Sequence, residues 1–233
     1  MPNAITFWER VAESRWGRYV SALERAEIVG AAALAGPPGA ALEVGADGGR
    51  WSRLLRDLGW QMTCTDIDPE TLARCQQRIP DATCLRVAPE DTRLPLPDHS
   101  VSLLLCVEVP PVIHSPWFLQ EARRVLRPGG IAFVMGYNTH SLRGLFCLLS
   151  QLRPGRSAAP HPFYQRSYSA WRREIEQAGF SLLRATGLCW APFPRKSNSA
   201  LIGPVTALEG CLGLRRLPRF SPWVLLTLRA PAA

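Results

Sequence analysis

The chain has 233 residues, 47% of them hydrophobic, and a formal net charge of +8. That length and composition suffice for a complete core and exclude a low-complexity or disordered polypeptide, and no apolar stretch approaches the roughly 20 residues needed to span a bilayer. The positive charge is almost wholly arginine, with Lys196 the only lysine, scattered among Ala, Gly and Pro without a dense basic run. Charge spread this way does not outline a phosphate-binding face, so nucleic acid is not the expected partner. The seven cysteines are an odd number with no CxxC pair and no metal-ligand spacing, and several fall in apolar strands where cysteine acts as a small hydrophobe. With no signal sequence at the start, these features predict a soluble protein of the reducing cytoplasm that holds no metal.

Residues 4 to 35 read as one or two helices. Phe7, Trp8, Val11 and Ala12 share one face, and Trp16, Tyr19, Val20, Leu23 and Ile28 form a second apolar set, with an interruption expected near Gly17. Gly36-Pro37-Pro38-Gly39 is a hinge-like connector that ends this cover, residues 1–36. Ala41, Leu42 and Val44 then make a short apolar run that stops at Gly45. Gly48 and Gly49 open a helix in which Trp51, Leu54, Leu55 and Leu58 recur at helical spacing, and Gly59 ends it. A second strand, Gln61 to Thr65, delivers Asp66 at its tip, about twenty residues past the glycine turn.

This strand–turn–helix–strand unit is a nucleotide cradle. Glycines let backbone approach a ligand, and a carboxylate at the second strand's tip can accept the hydroxyl hydrogens of a ribose. Glu43 and Asp47 flank the turn, where a pyrophosphate would need bare N–H donors, so a ligand with a ribose and a positive charge suits it better than a dinucleotide. S-adenosylmethionine, with its sulfonium, ammonium and adenosine, meets that description. EVGADGG at 43–49 resembles motif I of the class I S-adenosylmethionine-dependent methyltransferases, an acidic residue followed by GxGxG, with Asp47 in place of the usual middle glycine. TDIDPETL at 65–72, PEDTRLPLPDHSVSLLL at 89–105 and EARRVLRPGGIAFVM at 121–135 are similar to the family's next segments, in its order and spacing.

The resemblance covers residues 40–137 and implies an α/β, Rossmann-like fold: a seven-stranded, mostly parallel sheet with helices on both faces and one antiparallel strand near the C-terminus. A single methyltransferase domain over 1–233 is expected, with 138–166 and 187–220 as acceptor-pocket or lid elements. It further implies that Glu43, Gly45, Ala46, Asp47 and Gly49 surround the cofactor, that Asp66 and Ile67 follow at the ribose, and that Glu90 or Asp91 reads the adenine. Asp66 is the expected ribose ligand because it has no local structural duty, whereas Asp68, an N-cap followed by Pro69, does. Cys106 and Val107 end a nearly all-apolar strand, Val101 to Val107, and belong beside the cofactor, since ligands in open α/β sheets collect at the strands' carboxyl ends. Trp16, Arg18 and Tyr19 either reach the cofactor or pack helices, and Glu108 either contacts it or faces a loop.

Thr83 to Val87 is a third strand; Ser115 and Pro116 start a helix that Arg127-Pro128-Gly129-Gly130 stops; and Ile131 to Tyr137 is the fifth strand. Leu142, Leu145, Phe146 and Leu149 give an apolar helical face, followed by a mobile loop at 153–160. Ser167 caps a helix with Tyr168, Trp171, Ile175 and Ala178 facing inward and Gly179 as its stop, and the last strands are Phe180 to Ala185 and Pro222 to Leu228, with a helix over Leu201 to Leu214 between them. Methyl transfer needs alignment and water exclusion, and a base only if the acceptor loses a proton. His114, His140 and Tyr137 are the candidates for that chemistry. A small-molecule acceptor, aromatic or lipid-like, is expected, with a homodimer as a possible assembly. The alternatives are a non-catalytic S-adenosylmethionine-binding scaffold and an RNA methyltransferase.

Overall fold

The computed structural model describes residues 5–151 and 161–232. The N-terminal cover is two helices, α1 (Phe7–Ala12) and α2 (Arg15–Leu34). The break between them falls at Glu13-Ser14, not near Gly17: Ser14 caps α2 by accepting the Gly17 N–H. Gly17 lies within α2, and a glycine is needed there because a Cβ would sit 1.8 Å from the Val11 carbonyl oxygen.

After β1 (Ala40–Val44) come α3 (Arg50–Asp57), β2 (Gln61–Asp66), α4 (Pro69–Arg78), β3 (Thr83–Arg86) and β4 (Val101–Cys106). Asp68 caps α4, its side chain accepting the Glu70 N–H, and Pro69 occupies the first helical position. Next are α5 (Pro110–Ile113), α6 (Phe118–Val125), β5 (Leu126–Tyr137) and α7 (Leu142–Gln151). The sequence reading omitted α5, whose Pro110 and Pro111 open its first turn, and placed the start of α6 too early. It also treated Arg127 to Gly130 as a helix stop, whereas the chain is already extended from Leu126. A register shift between Val101/Leu126 and Leu103/Ile131 accommodates the Pro-Gly-Gly, with Gly129 at φ 74°.

The chain closes with α8 (Tyr168–Gln177), β6 (Ser181–Leu188), α9 (Ile202–Cys211), a short 3₁₀ turn (Leu214–Arg216) and β7 (Trp223–Arg229). The sheet order is β3-β2-β1-β4-β5-β7-β6; the pairs from β3 to β5 are parallel, and β7 runs antiparallel to both β5 and β6. The expected seven-stranded, Rossmann-like sheet with one antiparallel strand is therefore the observed one.

Alternation along the strands builds a core on each face. Ala41, Leu103, Leu105, Phe133 and Leu225 pack beneath α2, α3 and α4, with Trp16, Ile28, Leu55 and Cys75 among the buried partners. Leu42, Val44, Leu104, Cys106, Val134 and Leu226 face α6 and α8, against Phe118, Ala122, Trp171 and Ile175. Strand order reverses between β1 and β4, and in open α/β sheets ligands bind at that switch, beyond the strands' carboxyl ends.

Candidate active site

A cleft of about 460 Å³ opens at that point, bounded by the ends of β1, β2 and β4 and by α1 of the cover. Of the residues assigned to the cofactor from sequence, Glu43, Gly45, Ala46, Asp47, Asp66, Ile67, Asp91 and Val107 line it. Gly49, Glu90 and Cys106 do not. Gly49 caps α3 behind the turn with φ 77°, Glu90 is exposed, and Cys106 points into the opposite core. Between the two acidic residues after β3, the cleft thus takes Asp91, whose carboxylate also accepts the Ala88 N–H at 2.7 Å.

The turn works by close packing. Gly45 has φ 72°, and a Cβ there would lie 2.4 Å from Val109 Cγ2, so the loop after β4 rests on its bare Cα. Asp47, in the place of a glycine, adopts φ 48°, a left-handed conformation that costs a non-glycine residue about 1 kcal/mol. Its N–H donates to Asp66 Oδ2 at 2.8 Å, and the Asp68 N–H donates to Asp66 Oδ1 at 3.0 Å. Asp66 therefore has a local duty, contrary to the sequence argument: it ties the turn to the tip of β2. Each carboxylate oxygen keeps a further lone pair toward the cleft. Burial raises the Asp47 carboxyl above its usual range, opposed by the Thr6 hydroxyl and the Gly48 N–H.

Glu43 is 3% exposed and accepts a short hydrogen bond from the Ser52 hydroxyl. Burial, with Cys64 beside it, pushes its carboxyl up to about 8 while Ser52 pulls it back. A proton on Glu43 near neutrality removes one of the two charges on which the acidic-turn argument rested; Asp47 carries the other.

Glu108 follows β4 at φ 59°, a conformation rare for glutamate, and lines the cleft. Arg50, from the first turn of α3, lies 3.8 Å from Glu108 and 3.1 Å from the fully buried Glu24 of α2. Burial raises the Glu108 carboxyl, against Arg50 and Arg195, which lower it; Glu24 is pushed up by burial and then by Glu108. One guanidinium thus serves two carboxyls, and Glu24 Oε1 is left buried without a hydrogen-bond partner. Arg50 and Glu24 escaped the sequence reading because they pair 26 positions apart across the cover. The cover itself reaches the cleft through Trp8 and Glu9, not through Trp16, Arg18 or Tyr19; Trp16 is 2% exposed and packs on Tyr19 and Phe193.

The three residues singled out for catalysis lie outside the cleft lining. Both ring nitrogens of His114 are engaged, Nε2 with the Phe163 carbonyl at 2.8 Å and Nδ1 with Arg166 at 2.9 Å, and burial lowers its proton affinity. Tyr137 is 1% exposed among Phe163, Tyr164 and Trp223, with its hydroxyl unpartnered and burial holding the proton on it. His140 is exposed at the exit of β5, where its N–H donates to Asn138. Glu108, by contrast, lines the cleft.

The donor set suits S-adenosylmethionine. Asp66 offers free lone pairs for ribose hydroxyls, Asp47 and Glu108 offer negative charge for a cationic group, and Ile67, Val87 and Ala88 offer apolar walls.

Comparison with known proteins points the same way. Residues 42–134 match the family model of a methyltransferase domain. A protein of Mycolicibacterium smegmatis described as a probable S-adenosylmethionine-dependent methyltransferase is 30% identical over 155 residues, 63% of this chain and 54% of that protein. The 2-methyl-6-phytyl-1,4-hydroquinone methyltransferase of Synechocystis is 35% identical over 108 residues, 44% of this chain and 33% of that protein. The chain thus spans about half the length of the first relative and a third of the second. Among solved structures, an S-adenosylmethionine-dependent methyltransferase from Mesorhizobium loti superposes with a TM-score of 0.58 at 16% identity, covering 86% of this chain and 95% of that one. The sheet order and the cleft agree with the match of residues 42–134 to a methyltransferase domain, and the solved structure shows the same fold.

Proposed function

We propose that the chain transfers a methyl group from S-adenosylmethionine to a small apolar acceptor, aromatic or lipid-like. The observation that carries this reading is the cleft at the β1/β4 switch, with Asp47, Asp66 and Glu108 on its polar side and Ile67, Val87 and Val109 on its apolar side. When bound, S-adenosylmethionine supplies an activated methyl group on a sulfonium. The chain's part is to hold the ribose on Asp66, keep water out with Trp8 and Trp117, and take a proton from the acceptor where one must leave. Glu108 is assigned that last role because it lines the cleft at the end of β4, 3.8 Å from Arg50, with its carboxyl raised by burial and, unlike Glu43, not held by a short hydrogen bond from Ser52.

Two features favour an apolar acceptor. The Synechocystis relative acts, by its name, on a phytyl hydroquinone. Beyond β5, α7 leaves Leu142 87% and Phe146 67% exposed, and α9 leaves Leu208 and Leu212 exposed, apolar surface that an extended acceptor could lie against. Among the described residues no helix is long and apolar enough to cross a membrane.

S-adenosylhomocysteine at about 100 times its Kd should add about 2.7 kcal/mol of stability, a rise in Tm of roughly 5–10 °C for a chain of this size. No shift at millimolar ligand would sink the proposal. A shift without turnover across hydroquinones, phenols and long-chain alcohols would favour the second reading, a scaffold that binds the cofactor only. The position of His114, His140 and Tyr137 outside the cleft is what keeps that reading in view.

A further inference from the structure

The geometry points to a binding site for a soft metal ion of low coordination number, Cu(I) in its chemistry, formed by Cys64, Cys75 and Cys84. These residues come from three successive elements, β2, α4 and β3, and their spacing in sequence gives no sign of the site. The fold brings the three sulfurs within 4.8 Å of one another. Cys64 and Cys84 are direct partners across the parallel β2–β3 pair, so their side chains rise on the same face, and α4 lays Cys75 over them. An ion held in a plane by three thiolates at about 2.3 Å requires sulfurs about 4 Å apart, a contraction within reach of side-chain rotation.

The type of ion follows from what the cluster has and lacks. Among the described residues no histidine or carboxylate completes a fourth vertex, and Cys64 and Cys75 are fully buried. Tetrahedral zinc is therefore poorly served, whereas thiolates without a fourth ligand suit Cu(I). Cys84 is half-buried on the edge strand β3 and gives the ion a way in. The first turn of α3 compensates the negative charge: a Cβ on Gly49, its cap, would lie 2.7 Å from Cys75 Sγ, so the positive end of that helix rests on the cluster.

None of the three cysteines lines the cleft, yet a single hydroxyl links the cluster to its wall. Cys64 Sγ lies 3.0 Å from Ser52 Oγ, and the Ser52 hydroxyl donates to Glu43 at the cleft wall. The inference stands without the methyl-transfer reading, since it uses none of the cleft residues as ligands.

The test is an anaerobic titration of the full chain carrying Cys147→Ser and Cys211→Ser, which removes the half-buried and exposed thiols elsewhere. Cu(I) is supplied against a chromogenic chelator, and Ag(I) serves as an air-stable second probe. One equivalent should be retained, and adding Cys84→Ser should weaken binding by at least about tenfold. Circular dichroism checks that this edge-strand variant folds. X-ray absorption on the Cu(I)-loaded chain should show three sulfur neighbours. Equal affinity in the presence and absence of Cys84, or fewer than two sulfurs at the metal, would overturn the assignment.

Discussion

The two halves of the sheet are built on different terms. From β1 to β4 the strands are parallel and their side chains alternate cleanly between two buried cores; Leu103, Leu104, Leu105 and Cys106 are all fully buried. Beyond β5 the chain turns antiparallel, and although α8 packs into the core, α7 and the end of α9 carry uncovered apolar side chains: Leu142, Phe146, Leu208 and Leu212 are all more than half exposed. The first half makes a cofactor cleft whose residues match a widely shared domain model, and that match ends at residue 134, near the close of β5. The second half lies beyond that match. Regular packing thus accompanies the cleft, and exposed apolar surface accompanies the half outside the domain match.

Glu108 sits on the boundary between these halves, and substituting it should produce the largest effect. Glu108→Gln keeps the size and the contact with Arg50 but removes the proton acceptor, so turnover on whichever acceptor the protein uses should fall by about 10²–10⁴. Affinity for S-adenosylhomocysteine, measured by calorimetry, should stay within a few-fold. Unchanged turnover would return the base role to another group or dispense with it.

The contrast in packing can be tested directly. Leu105→Ala in β4 removes a fully buried side chain and should cost about 2–5 kcal/mol in urea unfolding. Leu142→Ala, at a position 87% exposed, should change stability by about 0.5 kcal/mol or less. A large loss at Leu142 would mean that this face is covered in solution, and the comparison between the halves would fail.

A smaller effect concerns pH. The folded protein raises the Glu43 carboxyl from its ordinary 4.5 to about 8, so folding favours the protonated form. Its contribution is complete below about pH 4.5 and fades as pH climbs through about 8. Glu43→Gln, which still accepts from Ser52, should flatten the decline in Tm across that window. Identical Tm profiles for parent and variant would show that Glu43 titrates normally.

Much of this was legible in the sequence, and the failures have physical causes. The glycine turn, the Asp68–Pro69 cap and the Ser167 cap are local signals, and the structure has each helix starting where they say. The antiparallel strand came from resemblance, since nothing in the apolar run at 223–228 distinguishes antiparallel from parallel pairing. What local signals could not carry were pairings at a distance. Arg50 with Glu24, His114 with Phe163 and Arg166, and the three cysteines are all contacts made only once helices have docked on the sheet. His114 looked free because its neighbours in sequence are Ile113 and Ser115; its partners lie about fifty residues away. Asp66 failed in the opposite direction: its bond to the Asp47 N–H reaches back to the glycine turn, so a residue that seemed to lack local work had some.

The place of β7 in the sheet bears on assembly. It lies between β5 and β6, though it follows both in the chain, and supplies the register that joins them, from Ile131–Arg229 to Tyr137–Trp223 on one side and Ser181–Arg229 to Leu188–Trp223 on the other. Until those residues arrive, β5 has an open edge and β6 has no strand to join. The parallel half can close from contacts already made, while the antiparallel half waits on its final segment, and contacts of such long sequence separation form slowly. The antiparallel part of the molecule is thus the last to be organised, and an interruption before Trp223 would leave the cleft with an unfinished neighbour and a bare strand edge prone to pairing with another chain.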